Sequence, residues 1–479
     1  MRRFIQSIVK ALEVSPDASP YQNADVLPLP PSRRTWTKKT FFFFWLATAI
    51  NIAEWSYAST ALAIGLTVGQ AIAVNAIATV IICFALVISG HAGGKWHIPF
   101  AVINRTGWGI RGAWFVLCNR IILSSCWYGV QGWYGGQMVK IMIGAIWPKF
   151  YTMGNTLGPG AYMKTNEFIA FIIFWTLSLP VFLLKPEQYR IPAMVSSVLV
   201  TIAAFSLLIW ALVKQGNVGP LWNNPEEVYH VGKLHDSTLS WAMMRMVTSG
   251  IGGWSGGILY QSDFSRYATQ PGNQIWGQIF IIPVCLLGSN ILGIITTSCA
   301  RGLYPEERLL WHPPYAFLRK LYDLLEAIQK HESGTARAAV FFAAFAFFLS
   351  QVSVNAVACG VVGGMDLAAL LPRFIDIRRG SFIIATIGIC INPWRILNTA
   401  NSFIYTISGY AVFLGPLSGI MITEYYVVRR RRVKPSHMFV PNETSDYWHV
   451  LVWRQLEGAY RVGSGSLAEH AWIRALDQQ

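Results

Sequence analysis

The sequence predicts an all-α polytopic membrane protein with about ten transmembrane helices, and three observations predict it. The chain of 479 residues is 53% hydrophobic and only 13% charged, against about 25% charged in an ordinary soluble domain. Apolar stretches of spanning length recur between residues 41 and 428, separated by short polar segments. Lys and Arg gather in alternate segments, so the formal charge of +15 reads as the positive-inside bias and not as a nucleic-acid partner. The lipid bilayer is the expected surroundings. The seven cysteines show no metal-ligand spacing and most lie in apolar stretches, as reduced packing residues do.

Residues 1–39 read as a cytosolic tail ending in PPSRRTWTKKT, without the apolar core of a cleavable signal. The first span, 41–66, opens FFFFW and continues ATAINIAEWSYAST. Asn51, Glu54 and Ser56 need internal partners there, because an unpaired polar group in hydrocarbon is costly. Two readings stay open: a buried structural helix, or a helix broken near Asn51 whose unwound carbonyls bind a cation. Span two covers 70–88, and HAGGKWHIPFAVINRTGWGIRG, 91–112, reads as a basic cytosolic loop. The third span, 113–146, carries WYGVQ, Trp127 to Gln131. A planar solute could stack on the Trp127 indole while the Gln131 amide, one turn later on the same face, reads its edge. Spans four and five, 168–184 and 191–213, lead into an external loop.

In the second half, span six, 241–260, contains SGIGGWSGG with Trp254 among its five glycines. That run argues against a straight helix and for either a close approach or a break. In QSDFSRY, 261–267, Asp263 and Arg266 are three apart and could anchor the cytosolic end of the span. Span seven covers 275–297, and the amphipathic segment 301–339 suits an external interfacial helix. Span eight, 340–362, is polar at membrane depth, with Ser350, Gln351, Ser353, Asn355 and Cys359. Span nine, 381–391, is closed by NPW, and span ten, 401–428, stops at RRRR. This alternation places 24 of the 38 Lys and Arg in the cytosol, with both termini inside. The expected division is an N-terminal tail, 1–39; a first five-helix repeat, 40–213; an external loop, 214–239; a second five-helix repeat, 240–428; and a cytosolic C-terminal tail, 429–479.

Spans one, six and eight look interrupted, and spans one and six are five apart. That is the spacing of paired first helices in a five-plus-five inverted-repeat transporter core, whose broken helices hold solute and ion between them. HExxH and P-loop patterns do not occur, and the charged residues do not form a nucleophile-base set, so an enzyme reading lacks its parts. A channel filter cannot be argued either. Transport without a bound cofactor is the class that remains.

A closer likeness lies in NADVLPLPPSRRTW, HAGGKWHIPFAVINRTGWGIRG, WYGVQGWYGG, QSDFSRYATQPGNQIWGQ, GGMDLAALLPRFIDIRRG, NPW and FLGPLSGIMITEYYVVRRRR. Together these resemble the nucleobase:cation symporter-1 family, above all its fungal uracil, allantoin, uridine and thiamine permeases, over about 22–440. The resemblance implies a LeuT-like five-plus-five fold, usually followed by two extra helices, and uptake of a ringed solute with sodium or a proton. It implies that Trp127 stacks on the solute, Gln131 bonds its edge, Trp254 after Gly253 completes an aromatic sandwich, and Asn51 stands beside it. Ala47 and Ile50 match the first-span carbonyl ligands of a sodium site, with Ser350, Ser353 and Val354 at its eighth-span positions.

Three departures bear on what is carried. Val354 replaces a hydroxyl residue, which removes a ligand oxygen from the sodium site and favours coupling to H+ over Na+, with Glu54 as the carrier. Cys359 stands where the family supplies an asparagine, and a thiol cannot make a paired donor-acceptor contact. The usual last two helices are expected to be missing, because 429–479 holds no apolar run of spanning length. The expected function is plasma-membrane import of a small planar nitrogen heterocycle such as uracil or allantoin. The alternative is a permease for thiamine or nicotinamide riboside, since Glu54 would attract a cationic solute. A membrane sensor that binds solute without moving it is a third reading. The oligomeric state is left open.

Overall fold

The computed structural model describes residues 13–63, 65–223, 236–304, 320–331, 334–397 and 400–448. Part of the expected external loop, part of the segment 301–339, and the end of the C-terminal tail lie outside the described residues. Every regular element among the described residues is helical.

The first span is two helices, α1 (Lys38–Ala49) and α2 (Ile52–Ala63). Thr37 and Thr40 form a capping box at the start of α1, and Ile50 after its end is extended, with φ −105° and ψ 90°. Helix α3 (Val68–Trp96) starts on a second capping box, Thr67 with Gln70, and ends at left-handed His97. A buried turn of helix, Phe100–Ile103, leads into α4 (Arg105–Ile146), which bends at Gly109 with φ 73°. The stretch 91–112 is therefore a packed helical corner and not the loop its basic residues suggested. Arg105 is buried there because Met438 and Tyr21 offer it carbonyl oxygens, at 2.8 and 3.1 Å.

Helices α5 (Thr165–Ser178) and α6 (Arg190–Gln215) complete the first half. The second half holds α7 (Asp236–Leu259), short α8 (Gln261–Ser265), α9 (Ile282–Leu303), α10 (Lys320–His331) and α11 (Gly334–Val354). A π-helical stretch, Asn355–Val361, joins α11 to α12 (Val362–Leu370), and α13 (Ile377–Cys390) and α14 (Ala400–Thr423) follow. Five helices among the described residues are long and apolar enough to cross a membrane: Val68–Trp96, Thr165–Leu183, Pro186–Gln215, Gly277–Leu303 and Gly334–Leu370. Helices α4 and α7 are not among them, since they carry glycines, polar residues and aromatic rings in place of aliphatic ones.

Of the two readings of SGIGGWSGG, close approach is what the structure has. Helix α7 runs unbroken through it, and a Cβ on Gly250 would stand 2.8 Å from the Tyr57 hydroxyl oxygen. The chain turns only at Tyr260, between α7 and α8. Asp263 and Arg266 do not pair. Asp263 takes bonds from Arg120 and the Phe100 N–H, at 2.9 and 2.8 Å, while Arg266 donates to the Asp25 carbonyl and the Tyr267 hydroxyl. Both are fully buried in the corner where several helices meet, so each finds a partner on another element. Helix α10, in the segment expected to be an interfacial helix, buries Leu321, Leu324, Leu325 and Ile328 against the bundle. Lys140 of α4 holds it through Glu326, at 3.1 Å.

The N-terminal segment lies under the end of the bundle that carries the 91–112 corner. Asn23 donates to the Pro372 and Ile375 carbonyls, at 3.0 and 3.1 Å, and the Trp36 N–H to Tyr267 O at 2.8 Å. Next to it α3 and α8 touch backbone to backbone: a Cβ on Gly93 would stand 2.6 Å from both Cα and O of Ser262. Gly93→Ala is expected to cost about 1–3 kcal/mol through overpacking. It should lower the melting temperature of the purified protein, whereas Gly69→Ala, with no atom within 4 Å of its Cβ, should not.

Candidate functional site

A broken helix frees backbone groups that a low-dielectric interior does not tolerate unpaired, and the break between α1 and α2 is closed by side chains. Asn51 Oδ1 accepts from the N–H groups of Ala53 and Glu54, at 2.8 and 3.2 Å, which caps α2. Its Nδ2 donates to Thr48 O at 2.6 Å. Ser289 of α9 donates to Ala49 O at 3.0 Å, and Ser350 of α11 donates to Ile50 O at 3.3 Å. Three successive carbonyls thus take donors from three different elements. The position of the break is set by tertiary contact as well as by Asn51.

Beside the break lies a cavity, with about 680 Å³ of non-protein space when the part open to solvent is counted. Trp127 and Gln131 reach it from α4, Gly253 and Trp254 from α7, Asn51 and Glu54 from the break, and Cys359 from the π-helical stretch. These seven sequence-predicted residues line one wall system. The π-helical turn gives Cys359 its place, since it shifts the register of the chain after Val354. Gly129 of WYGVQ serves packing: a Cβ there would meet Gly388 O at 2.6 Å and Pro393 of NPW at 3.2 Å. It lets α4 press on α13, which fixes the depth of Trp127 and Gln131.

Two features give the cavity its chemistry. The Gln131 Oε1 is buried without a hydrogen-bond partner, an acceptor that calls for a donor from whatever fills the space. Glu54 is the one acid among the lining residues, and its Oε1 accepts from the Trp254 indole N–H at 3.1 Å. That bond ties α2 to α7 across the cavity and sets the plane of one of the two tryptophans.

The residues matched to a sodium site lie apart from the cavity wall, except Val354, which lines it. Ile50 and Ser350 are in direct hydrogen-bonded contact, and Ala47 and Ser353 are buried. Sequence reasoning missed Tyr260 and gave no site role to Arg120, both of which line the cavity. Arg120 binds Asp263 of α8 and Asp366 of α12, each at 2.9 Å, with all three side chains buried. Its guanidinium lies 4.1 Å from the centre of the Phe100 ring. A charged residue inside an apolar span was the available signal for Arg120; Tyr260, at the close of a glycine-rich run, gave none.

A helix broken at a capped Asn, facing a second helix across a cavity walled by two tryptophans and an amide, defines a membrane transport protein. The chain matches over residues 28–459 the family model described as permease for cytosine/purines, uracil, thiamine and allantoin, and it belongs to that family. It is 34% identical over 427 residues to an uncharacterised permease of Schizosaccharomyces pombe, covering 89% of this chain and 70% of the relative. With the allantoin permease of Saccharomyces cerevisiae it shares 32% identity, covering 91% and 67%, and with the uracil permease of that yeast 31%, covering 92% and 68%. Among solved structures it is similar to Mhp1, a nucleobase-cation-symport-1 family transporter, in a closed conformation with bromovinylhydantoin bound. The TM-score is 0.66 at 20% identity over 91% of this chain and 88% of that one. This likeness shows the fold, as does that to MhsT in complex with L-phenylalanine, with a TM-score of 0.57 at 12% identity over 86% and 94%. The family resemblance and the transporter fold expected from the sequence are both found, and the permease relatives mark the chain as a transporter rather than an enzyme.

Removing an aromatic wall tests the geometry directly. Trp127→Ala should abolish high-affinity solute uptake while the protein still reaches the membrane, as read by uptake kinetics alongside surface quantification. Unchanged affinity would reject a stacking role for this ring.

Proposed function

We propose that the chain imports a small planar nitrogen heterocycle, uracil, allantoin or a related nucleobase or nucleoside, by alternating access with a co-transported proton. The observation that carries this reading is the unpartnered Gln131 acceptor set in one cavity with Trp127 and Trp254. Two indoles offer faces to a flat ring, and the amide oxygen calls for the ring N–H that such solutes carry. Asn51 already spends its acceptor on the α2 cap, so its contribution to the solute is a remaining N–H. Insertion with both termini cytosolic follows the charge bias, and plasma-membrane placement follows the permease relatives. The solute and the bilayer are the partners this reading requires.

Proton coupling rests on Glu54. It is the acid of the cavity, it bonds the wall through Trp254, and Val354 supplies no oxygen to a sodium ion at the site of Ala47, Ile50, Ser350 and Ser353. Uptake by Glu54→Gln should lose its pH dependence; an unaltered profile would sink the proton-carrier role.

A second reading, a permease for thiamine or nicotinamide riboside, is favoured by one specific feature. Glu54 and Cys359 line the same cavity, and an acid together with a thiol where the family resemblance expects an amide suits a cationic ring better than a base edge. Competition in one uptake assay separates the two. Unlabelled uracil or allantoin should displace the tracer under the first reading, and thiamine or nicotinamide riboside under the second. A protein that binds solute without accumulating it would be a sensor.

A further inference from the structure

Behind the Glu54–Trp254 bond lies a second cavity that none of the roles above uses. It shares Glu54, Trp127, Gly253 and Trp254 with the first and then runs away from it between α2, α3, α7 and α9. Asn75 of α3, Ser249 of α7 and Asn290 of α9 line it. Their relative exposures are 1%, 0% and 3%. Both amide atoms of Asn75, the Ser249 hydroxyl and the Asn290 Oδ1 have no hydrogen-bond partner. Burying so many polar atoms unpaired is costly, and here they come from three separate helices into one space. No Lys, Arg or His is among the lining residues, so the Glu54 carboxylate is not neutralised from this side.

We infer that this second cavity is a binding site for a monovalent alkali cation, held by the Glu54 carboxylate, the side-chain carbonyls of Asn75 and Asn290, and the Ser249 hydroxyl. The donor set is all oxygen, which suits a hard cation. Among the described residues no group of three or more His, Cys, Asp or Glu gathers to hold a transition metal. One carboxylate matches one positive charge, so a monovalent ion leaves the site neutral and a divalent one would leave an excess charge buried. The four ligands sit on four helices from both halves of the chain. Occupancy would draw α2, α3, α7 and α9 together and act on Trp254 through the bond from its indole to Glu54. The link to transport rests on the proposed solute wall, but cation binding itself does not.

The purified full chain in lipid nanodiscs, without solute, is assayed for saturable binding of ²²Na⁺ and, in parallel, ⁸⁶Rb⁺. At least one of the two should bind saturably. Asn290→Ala and Ser249→Ala should each raise its half-saturating concentration by roughly tenfold or more, as loss of support does at metal sites. Asn290→Asp, which keeps the ligand oxygen, should bind the ion, and Gly69→Ala, whose added Cβ meets no atom within 4 Å, should bind as the unaltered chain does. Absence of saturable binding of both ions to the unaltered chain would overturn the site. So would binding that survives both alanine variants, or that is lost equally in Gly69→Ala. Failure of solute uptake with intact ion binding would overturn the transport reading and leave this site standing.

Discussion

The structure depends on how one interruption in the first span is satisfied. In a low-dielectric interior a helix can break only where other groups take over its backbone hydrogen bonds. Here Asn51 caps the second half-helix and bonds Thr48, while Ser289 and Ser350 reach the next two carbonyls. The break is therefore a junction of α1, α2, α9 and α11. It turns α2 so that Glu54 meets the indole of Trp254, and that single bond divides the interior into two polar cavities. Glu54 lines both of them.

The other organising feature is the charge knot at the end of the bundle. Arg120, deep in α4, holds Asp263 and Asp366 from two other helices and covers the Phe100 ring. Such a knot is worth little as net stability, yet removing one member would leave a buried charge without its partner. It fixes the lower end of α4 against α8 and α12, while Gly129 lets the middle of α4 press on α13. Trp127 and Gln131 lie between these two constraints. Their reach into the cavity follows from the helix that carries them being pinned on both sides.

Much of the site could be read along the chain. Trp127, Gln131, Gly253, Trp254, Asn51, Glu54 and Cys359 all face one cavity, because polar and aromatic residues in an apolar span have few reasons to be there other than a buried polar space. The partners were harder to read. Asp263 and Arg266 read along the chain as anchors of a span end, and their bonds run to Arg120, Phe100, Asp25 and Tyr267. The segment 91–112 looked like a basic loop, since composition registers charge and cannot register that Met438 and Tyr21 would offer carbonyls to Arg105.

By itself the sequence determined the class: hydrophobicity, charge alternation and polar interruptions require a helical membrane protein, and its motifs resemble the family to which it belongs. Those are local properties, legible because each depends on residues near one another in the chain. What only the tertiary structure decided is which interruption becomes a break and which a close contact. The asparagine of the first span became a break because α9 and α11 supplied donors. Gly250 of α7 became a point of close contact, since Tyr57 packs where its side chain would be. Asn75, Ser249 and Asn290, unremarked in sequence, became one polar cavity because three helices converge on Glu54, and convergence is a property of packing alone.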